Sequence, residues 1–381
     1  MIRTMCDGCA APLPARPKQC SRCKTRYCGP ACQAQHWNEG GHKDLCKKIK
    51  KGGGAEKYNA DQKYDEAAKV AIAACAEDTK GQTCYICTEG VERRHAKNEG
   101  LVRMCACRGT SGCAHLSCLA RQAQILCDEA IDHNLNNTES WDDRWMRWHN
   151  CALCGQQYHG VVCCALGWAC WKTYVTRQPV VNEARINAMA KLGGGLFMGK
   201  HYSEAVVVYE AFLGVVRKKY VKNHSTIEWT LPHRSNLSYC YAHIGRLDEG
   251  LRVARCTYSQ ALEGWGADHG WTLHAAVKVT HCLVKKKQWP KARQLLFKYR
   301  RQEIADEDML RVHWTCGWLL HDDDDATFDM IDQAVTLLEG VRRRSRQLLG
   351  ERHVATTEID KEIGQAREKR CMAREDALLW S

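Results

Sequence analysis

Apolar residues recur at helical spacing through the C-terminal half of the chain, over residues 184–370. In this region a small residue returns after 45, 42 and 42 positions, always three places after an aromatic or aliphatic one. The small residues are Ala205, Gly250, Ala292 and Ala334, and the larger ones are Tyr202, Leu247, Trp289 and Ile331. Upstream of the first two, Gly195 and Ser238 are small residues at which helices would cross closely. A period near 42 residues predicts stacked helix pairs over residues 184–370.

A second marker, a histidine followed two or three places later by a threonine, has the same period. His224, His269 and His353 stand two or three places before Thr226, Thr272 and Thr356. This array resembles the tetratricopeptide repeats of the kinesin light chain type, in which a His-x-x-Thr loop links repeats. The resemblance implies an α-solenoid with a concave surface for an extended peptide or a helix. Candidate lining residues are Asn236, Tyr239 and His274, with simple surface exposure as the alternative. The third repeat departs from the pattern, because it has Asp306-Glu307-Asp308 at its loop.

Two further helices are predicted in the N-terminal half. Apolar residues between Tyr64 and Cys75 recur at helical spacing, which predicts one helix in a linker over residues 51–80. The glycines at 52–54, which precede this helix, predict a flexible hinge. A later apolar run predicts a buried bridging helix within residues 161–183. Its cysteines, Cys163, Cys164 and Cys170, could instead hold a fifth zinc ion.

The chain has 381 residues, and 25 of them are cysteines. Its opening residues, Met1 to Ala11, contain no apolar run of the kind that opens a secretory leader, so we expect no disulfide framework. The longest apolar stretch, Val161 to Trp171, is about half the length that a membrane span needs. These features predict a soluble protein of a reducing compartment, cytoplasmic or nuclear, without membrane contact.

Eight cysteine and histidine residues between positions 84 and 154 form four pairs. In chain order they are Cys84 and Cys87, Cys105 and Cys107, His115 and Cys118, and Cys151 and Cys154. Zinc takes thiolate and imidazole ligands in tetrahedral sets of four, and a two-residue gap lets one turn present two of them. The eight ligands therefore predict two zinc ions within residues 81–160.

The order of these ligands, with one residue between Cys105 and Cys107 and seven before His115, resembles the RING-CH type of zinc finger. The resemblance implies a cross-brace with two interleaved sets. Cys84, Cys87, His115 and Cys118 would hold one ion, and Cys105, Cys107, Cys151 and Cys154 the other. Each structural zinc ion contributes on the order of 10–16 kcal/mol in a small domain. Zinc would therefore replace a core that is too small to stand alone.

RING-CH domains act in ubiquitin transfer, where they hold a charged ubiquitin-conjugating enzyme in a reactive pose and form no covalent bond. The resemblance implies that Ile86, Leu119 and Leu153 contact this enzyme. The alternative role of all three is packing around the metal loops, and this alternative is favoured for Leu119.

Three features depart from the RING-CH pattern. Gln122 stands where the family often has a tryptophan, and Gly155 follows the last ligand in place of an arginine. The Asn/Asp-rich residues 132–143 also predict an inserted loop. The first two departures favour a non-enzymatic adaptor over a ligase.

Residues 6–46 contain a second set of eight ligands in four pairs. They are Cys6 and Cys9, Cys20 and Cys23, Cys28 and Cys32, and His42 and Cys46. The run from Tyr27-Cys28 through Trp37 and His42-Lys43 to Cys46 resembles a MYND finger. The resemblance implies one ion at Cys6, Cys9, Cys28 and Cys32, and another at Cys20, Cys23, His42 and Cys46. His36 competes with His42, which we prefer because it lies one helical turn before Cys46. MYND fingers bind peptides, and Gln33 and Trp37 are the candidate contacts; packing against the finger is the alternative for Trp37.

The formal net charge of +12 overstates the basicity of the folded protein. In each zinc module seven thiolates and two divalent ions leave a charge of −3, which lowers the net charge to about +6. This argues against a nucleic-acid partner. The basic run Lys47, Lys48, Lys50 and Lys51 predicts a solvated linker, with nuclear import or phosphate binding as the alternative.

The sequence thus predicts a mostly α chain, in which two cross-braced zinc fingers precede an α-solenoid. The predicted segments are a MYND finger (1–50), a linker (51–80), a RING-CH finger (81–160), a bridging helix (161–183) and helical repeats (184–370). The predicted function is that of a ubiquitin-protein ligase with four zinc ions. Its partners would be a ubiquitin-conjugating enzyme and substrate or adaptor proteins bound by the repeats. The alternative is a non-enzymatic adaptor. No phosphate-binding glycine loop, serine elbow or His-Glu-x-x-His motif occurs.

Overall fold

The structure is a computed structural model of the chain and describes residues 5–90, 99–133, 135, 139–177, 182–220, 224–300, 302–351 and 353–379. Helices account for most of these residues, and the strands are short. The predicted mostly α fold is therefore confirmed. Two compact units divide the chain, unit 1 at Met1–Tyr220 and unit 2 at Val221–Ser381. Among the described residues, no helix is long and apolar enough to cross a membrane.

Unit 1 contains two small antiparallel sheets, which pair β1 (Lys18–Gln19) with β2 (Arg26–Tyr27) and β3 (Leu101–Val102) with β4 (Ala114–His115). Its helices are α1 (Pro30–Asn38), α2 (His42–Lys51), α3 (Ala55–Cys75), α4 (Leu116–Asp132), α5 (Glu139–Met146), α6 (Gly160–Tyr174), α7 (Glu183–Met198) and α8 (Tyr202–Lys219). Helix α6 packs against α3 and α7, and α7 packs against α8. Helix α6 is buried along most of its length, including Cys163, Cys164 and Cys170. None of these three thiols joins a metal-binding set within the described residues.

The glycines at 52–54, which are predicted to form a flexible hinge, lie in a hydrogen-bonded turn between α2 and α3. Gly53 and Gly54 have left-handed φ values of 85° and 97°, which glycine adopts without the steric cost of a Cβ atom. The amide of Ala55, the first residue of α3, donates a hydrogen bond of 2.8 Å to the carbonyl of Cys23. The turn therefore joins α2 directly to α3 and ties α3 to the first zinc-finger segment.

The predicted loop at residues 132–143 is partly helical, because α5 begins at residue 139. Residues 134 and 136–138 of this loop lie outside the described part of the chain. Trp141, Trp145 and Trp148 recur at helical spacing and are buried. The ring centroid of Trp145 lies 5.1 Å from that of Tyr174 on α6. The buried tryptophan stripe therefore outweighs the polar composition that indicated a loop.

Unit 2 is a succession of packed helices. They are α9 (His224–His243), α10 (Leu247–Trp265), α11 (Gly270–Lys285), α12 (Trp289–Leu296), α13 (Glu307–His321), α14 (Phe328–Leu349) and α15 (Val354–Leu379). Neighbours in this order contact each other. The small residues of the repeat lie at these contacts, since Gly250, Ala292 and Ala334 are buried. A Cβ atom on Gly250 would lie 2.9 Å from the carbonyl oxygen of Ser238 on α9. The side chain of His224 lies outside the described residues.

Two histidines of the second marker, His269 and His353, cap helices. His269 Nδ1 accepts a hydrogen bond of 3.2 Å from the amide of Trp271 at the start of α11. His353 Nδ1 likewise accepts one of 3.2 Å from the amide of Ala355 at the start of α15. In the third repeat Asp306 takes this role, because its carboxylate accepts a 2.9 Å hydrogen bond from the amide of Met309. The departure at Asp306 therefore preserves the capping function.

We expect Asp306→Ala to lower the free energy of unfolding by about 1 kcal/mol, because it leaves the amide of Met309 without its cap. Asp306→Asn keeps an acceptor oxygen at the same place and should stay close to the wild type. Urea unfolding followed by circular dichroism measures both. Asp324→Ala, at an exposed aspartate, is the matched control. Equal losses for the alanine and asparagine variants would contradict the capping role.

The acidic run at residues 322–325 is only partly a solvated loop. Asp324 and Asp325 are exposed, but Asp323 is only 6% exposed and forms an ion pair with Arg293. A carboxylate is buried only when a cation or hydrogen bonds compensate for its lost hydration. Charge clustering along the sequence does not reveal such a partner, which lies 30 residues away.

Candidate metal centres

The sixteen predicted ligands of unit 1 come together in four sets of four. The sets are Cys6, Cys9, Cys28 and Cys32; Cys20, Cys23, His42 and Cys46; Cys84, Cys87, His115 and Cys118; and Cys105, Cys107, Cys151 and Cys154. Within each set the ligand atoms all lie within 4.8 Å of one another. The sets alternate along the chain, as the two cross-brace resemblances imply. Four zinc ions are compatible with this arrangement.

A recurring backbone turn presents the paired cysteines. In each Cys-x-x-Cys pair, the residue after the second cysteine has a positive φ. These residues are Ala10, Lys24, Thr88 and Gly155, with φ values of 56°, 65°, 62° and 71°. Their amides donate hydrogen bonds of 2.8 to 3.0 Å to the carbonyl of the first cysteine. Only one of the four is a glycine, so the sequence gives no signal for this turn. A left-handed conformation costs other residues about 1–2 kcal/mol, which metal binding can offset.

In two of the sets, a sulfur–sulfur distance matches the edge of a zinc tetrahedron. Ideal Zn–S and Zn–N bonds give sulfur–sulfur edges of about 3.8 Å and sulfur–nitrogen edges of about 3.6 Å. The Sγ atoms of Cys107 and Cys151 are 3.7 Å apart, and those of Cys20 and Cys46 are 3.8 Å apart. The donor atoms therefore stand around a centre of the right size.

A hydrogen bond at its second ring nitrogen, Nε2, orients the ring of His115. Nδ1 lies 3.4 Å from Cys87 Sγ and 3.8 Å from Cys118 Sγ, so this nitrogen faces the set. Nε2 lies 2.9 Å from the carbonyl oxygen of Gly90 and can donate its proton there. This hydrogen bond would hold the tautomer in which Nδ1 carries the free lone pair that a metal requires.

In the first finger His42, and not His36, joins a metal-binding set. His42 is buried, and its Nε2 lies 3.4 Å from Cys23 Sγ. The ring of His36 instead lies against Tyr27, with 3.2 Å between Nδ1 and the hydroxyl oxygen. His36 therefore helps to pack the finger beside the second set.

The thiols of one set compete for protons. The hydrogen bond between Cys105 and Cys151 lowers the pKa of Cys151 and raises that of Cys105. Burial raises the pKa of Cys107 to about 12. The protein alone would thus keep part of this set protonated at neutral pH. A divalent cation stabilises all the thiolates together, so the donor set fits zinc.

The residues predicted to contact partner proteins differ in exposure. Leu153, between the last two ligands, is 53% exposed, and Ile86 is half-buried. Leu119 is 5% exposed and belongs to the core of the module, which favours its packing role and removes it from the contact surface. Gln33 and Trp37 are half-buried on α1. The Trp37 ring lies 5.6 Å from that of His42, so it also packs against the finger.

Helices α9, α11 and α13 of unit 2 contribute a connected polar cluster. Lys278 Nζ lies 4.7 Å above the ring of Tyr239, and Arg311 lies 3.4 Å from His274 Nδ1. Burial, followed by repulsion from Arg311, lowers the pKa of Lys278 to about 7. Two of the predicted lining residues, Tyr239 and His274, thus have basic neighbours. The third, Asn236, is half-buried.

Residues 6–46 match the family model of the MYND finger. The prediction of a MYND finger in this segment is therefore confirmed. No curated protein matches the chain. Among solved structures, it is similar to the crystal structure of BtubC (BKLC) from P. vanneervenii, with 12% sequence identity and a TM-score of 0.37. The match covers 70% of this chain and 92% of that one. A similarity of this degree carries no argument about function.

Proposed function

We propose that the chain is a RING-CH-type ubiquitin-protein ligase. The observation that carries the proposal is the pair of interleaved ligand sets in residues 84–154, in the order and spacing of that family. Such a domain does no covalent chemistry. It would accelerate transfer by holding a charged conjugating enzyme in a reactive orientation, which lowers the entropic part of the barrier.

The contact surface for the conjugating enzyme would include Ile86 and Leu153. Each lies inside a Cys-x-x-Cys turn, directly before the second cysteine. Zinc bound to that cysteine would fix the backbone beside the apolar side chain. A rigid apolar contact loses little conformational entropy on binding, so even a small surface of this kind can support a transient complex.

Substrate recruitment would fall to the other modules. Zinc-binding fingers followed by a helical region form a protein-interaction scaffold, and MYND fingers generally bind proteins. Helix α1, with Gln33 and Trp37, would contact a peptide. The helical region of unit 2 would contact its partners through the polar cluster that contains Tyr239, His274 and Lys278.

A non-enzymatic adaptor is the second candidate. Gln122 and Gly155 favour it, because active RING-CH domains often have tryptophan and RING domains arginine at these places. An adaptor would use the same exposed Leu153 for a different partner. Activity, and not binding alone, therefore separates the two candidates.

We expect the zinc-loaded chain to form ubiquitin conjugates on itself with at least one member of a panel of conjugating enzymes. Leu153→Ala should lower the rate about tenfold, because removal of a buried interfacial leucine costs about 1–2 kcal/mol. The measurement is the initial rate of conjugate formation, followed on gels.

The matched control is Val70→Ala on α3, since Val70 is 55% exposed and lies outside the zinc fingers. It should leave the rate unchanged. Zinc content is measured for every variant to exclude loss of the fold. No conjugates with any enzyme of the panel would leave the adaptor as the function.

A further inference from the structure

The four metal-binding sets are not equally protected. The set of Cys6, Cys9, Cys28 and Cys32 has an exposed member, Cys9, and two half-buried members. Each of the other three sets has at most one half-buried ligand and no exposed one. The first set is therefore the one whose ligand residues are the most exposed to solvent.

This set can be compared with a buried set of identical donors. Cys105, Cys107, Cys151 and Cys154 also supply four thiolates, so both sites would carry the same charge with zinc. In the buried set, however, Cys105 and Cys107 are each 9% exposed and Cys151 is fully buried. Access to reagents is the main difference between the two.

From this asymmetry we infer that Cys9 and Cys28 form an oxidation site, at which a peroxide converts the first MYND zinc site into a disulfide. Their Sγ atoms are 3.7 Å apart, and a disulfide requires about 2.05 Å. Cys9 lies in a solvent-exposed turn, so the required shift of about 1.7 Å falls on that turn. The Sγ atoms of Cys28 and Cys32 are also close, at 3.3 Å, but both residues are less accessible to a first attack.

The reaction proceeds in two displacements. The Cys9 thiolate attacks hydrogen peroxide, so that a sulfur–oxygen bond forms, the oxygen–oxygen bond breaks and hydroxide leaves. The Cys28 thiolate then attacks the oxidised sulfur, a disulfide forms and a second hydroxide leaves. Two thiolates lose two electrons in total, and the peroxide gains them. Cys6 and Cys32 then offer only half of a tetrahedral set and would no longer retain zinc.

Loss of this site would affect α1 more than the rest of the finger. Cys32 is the only metal ligand within α1, whereas α2 carries His42 and Cys46 of the second set. The oxidised finger would keep its second site, because the Cys9–Cys28 disulfide still joins the two cysteine pairs that the first ion had linked, while α1 would lose its metal anchor. The effect on peptide binding rests on the function proposed for α1; the chemistry at Cys9 and Cys28 does not.

The test uses the full zinc-loaded chain and hydrogen peroxide. A chromogenic chelator follows released zinc, and alkylation with iodoacetamide followed by mass spectrometry maps the cysteines. We expect one equivalent of zinc to leave about tenfold faster than the other three, because attack follows thiolate access. A Cys9–Cys28 cross-link should appear at the same rate, and dithiothreitol with added zinc should reverse both changes.

Two histidine variants provide the controls. Cys28→His keeps four donors but removes the partner thiol, so the Cys9–Cys28 cross-link should be lost while the exposed Cys9 still reacts in the fast phase. Cys107→His makes the same change in the buried set and should leave both intact. Release of all four ions at one rate, or a first disulfide in another set, would overturn the proposal. The disulfide map of the wild-type protein tests the proposal even if a variant fails to fold.

Discussion

Replacement of Cys151 by serine is expected to abolish the zinc site of Cys105, Cys107 and Cys154 and to unfold residues 81–160. Cys151 is fully buried and supplies one of the four donor atoms of the set. A serine hydroxyl is a poor zinc ligand at neutral pH, because it does not readily ionise. A structural zinc ion contributes about 10–16 kcal/mol, which equals or exceeds the whole stability of a typical domain at about 5–15 kcal/mol. No local rearrangement can compensate for such a loss.

Zinc analysis should show the effect directly. The content is expected to fall from four ions per chain to two, because the ligands of the broken set alternate along the chain with those of the other set. Thermal unfolding should lose the transition that belongs to this module. A Cys151→Ser chain that still binds four ions would contradict the ligand assignment.

Cys113→Ser is the matched control for this variant. Cys113 is also fully buried in the core of the same module, but it belongs to none of the four sets. Its replacement should cost only about 1–3 kcal/mol, the penalty for burying a hydroxyl group. The variant should retain four zinc ions. The comparison therefore separates metal binding from the packing of a buried cysteine.

The ligand sets could be predicted because the paired ligands stand close together in the sequence. Pairs such as Cys84 and Cys87 show by their spacing alone that one turn presents two soft donors. The interleaved assignment came from the family resemblances, and the structure brings together the same sets. The positive φ of Lys24 and Thr88 could not be predicted, because neither residue type favours that conformation.

Predictions failed where tertiary contacts overrule local composition. The Asn/Asp-rich residues 132–143 indicate a loop, but α5 begins at residue 139 and Trp141 is buried. Asp323 stands in an acidic run, but its cation, Arg293, comes from α12. Periodicity was the more reliable guide, since Ala292 and Ala334 are buried within helices of the region where it predicted stacked helix pairs.

Gly195→Ala is expected to destabilise the contact between α6 and α7. A Cβ atom at this position would lie 2.6 Å from the carbonyl oxygen of Cys163 and 3.2 Å from the Cα atom of Cys164. Backbone atoms cannot turn aside as a side chain can, so the two helices must separate. Overpacking of this kind costs about 1–3 kcal/mol. Gly167 faces the same contact from α6, where a Cβ atom would lie 3.1 Å from the carbonyl oxygen of Lys191.

Gly194→Ala, at the adjacent residue, is a control for which we expect the opposite change in stability. A Cβ atom on Gly194 would have no neighbour within 4 Å, so Gly194→Ala adds helix propensity without a clash. It should stabilise the protein by roughly 0.5–1 kcal/mol. Urea unfolding of both variants should therefore move the midpoint in opposite directions, although the two changes are chemically identical and one residue apart. Equal shifts would mean that helix propensity, and not the close approach of α6 and α7, determines the requirement for glycine at position 195.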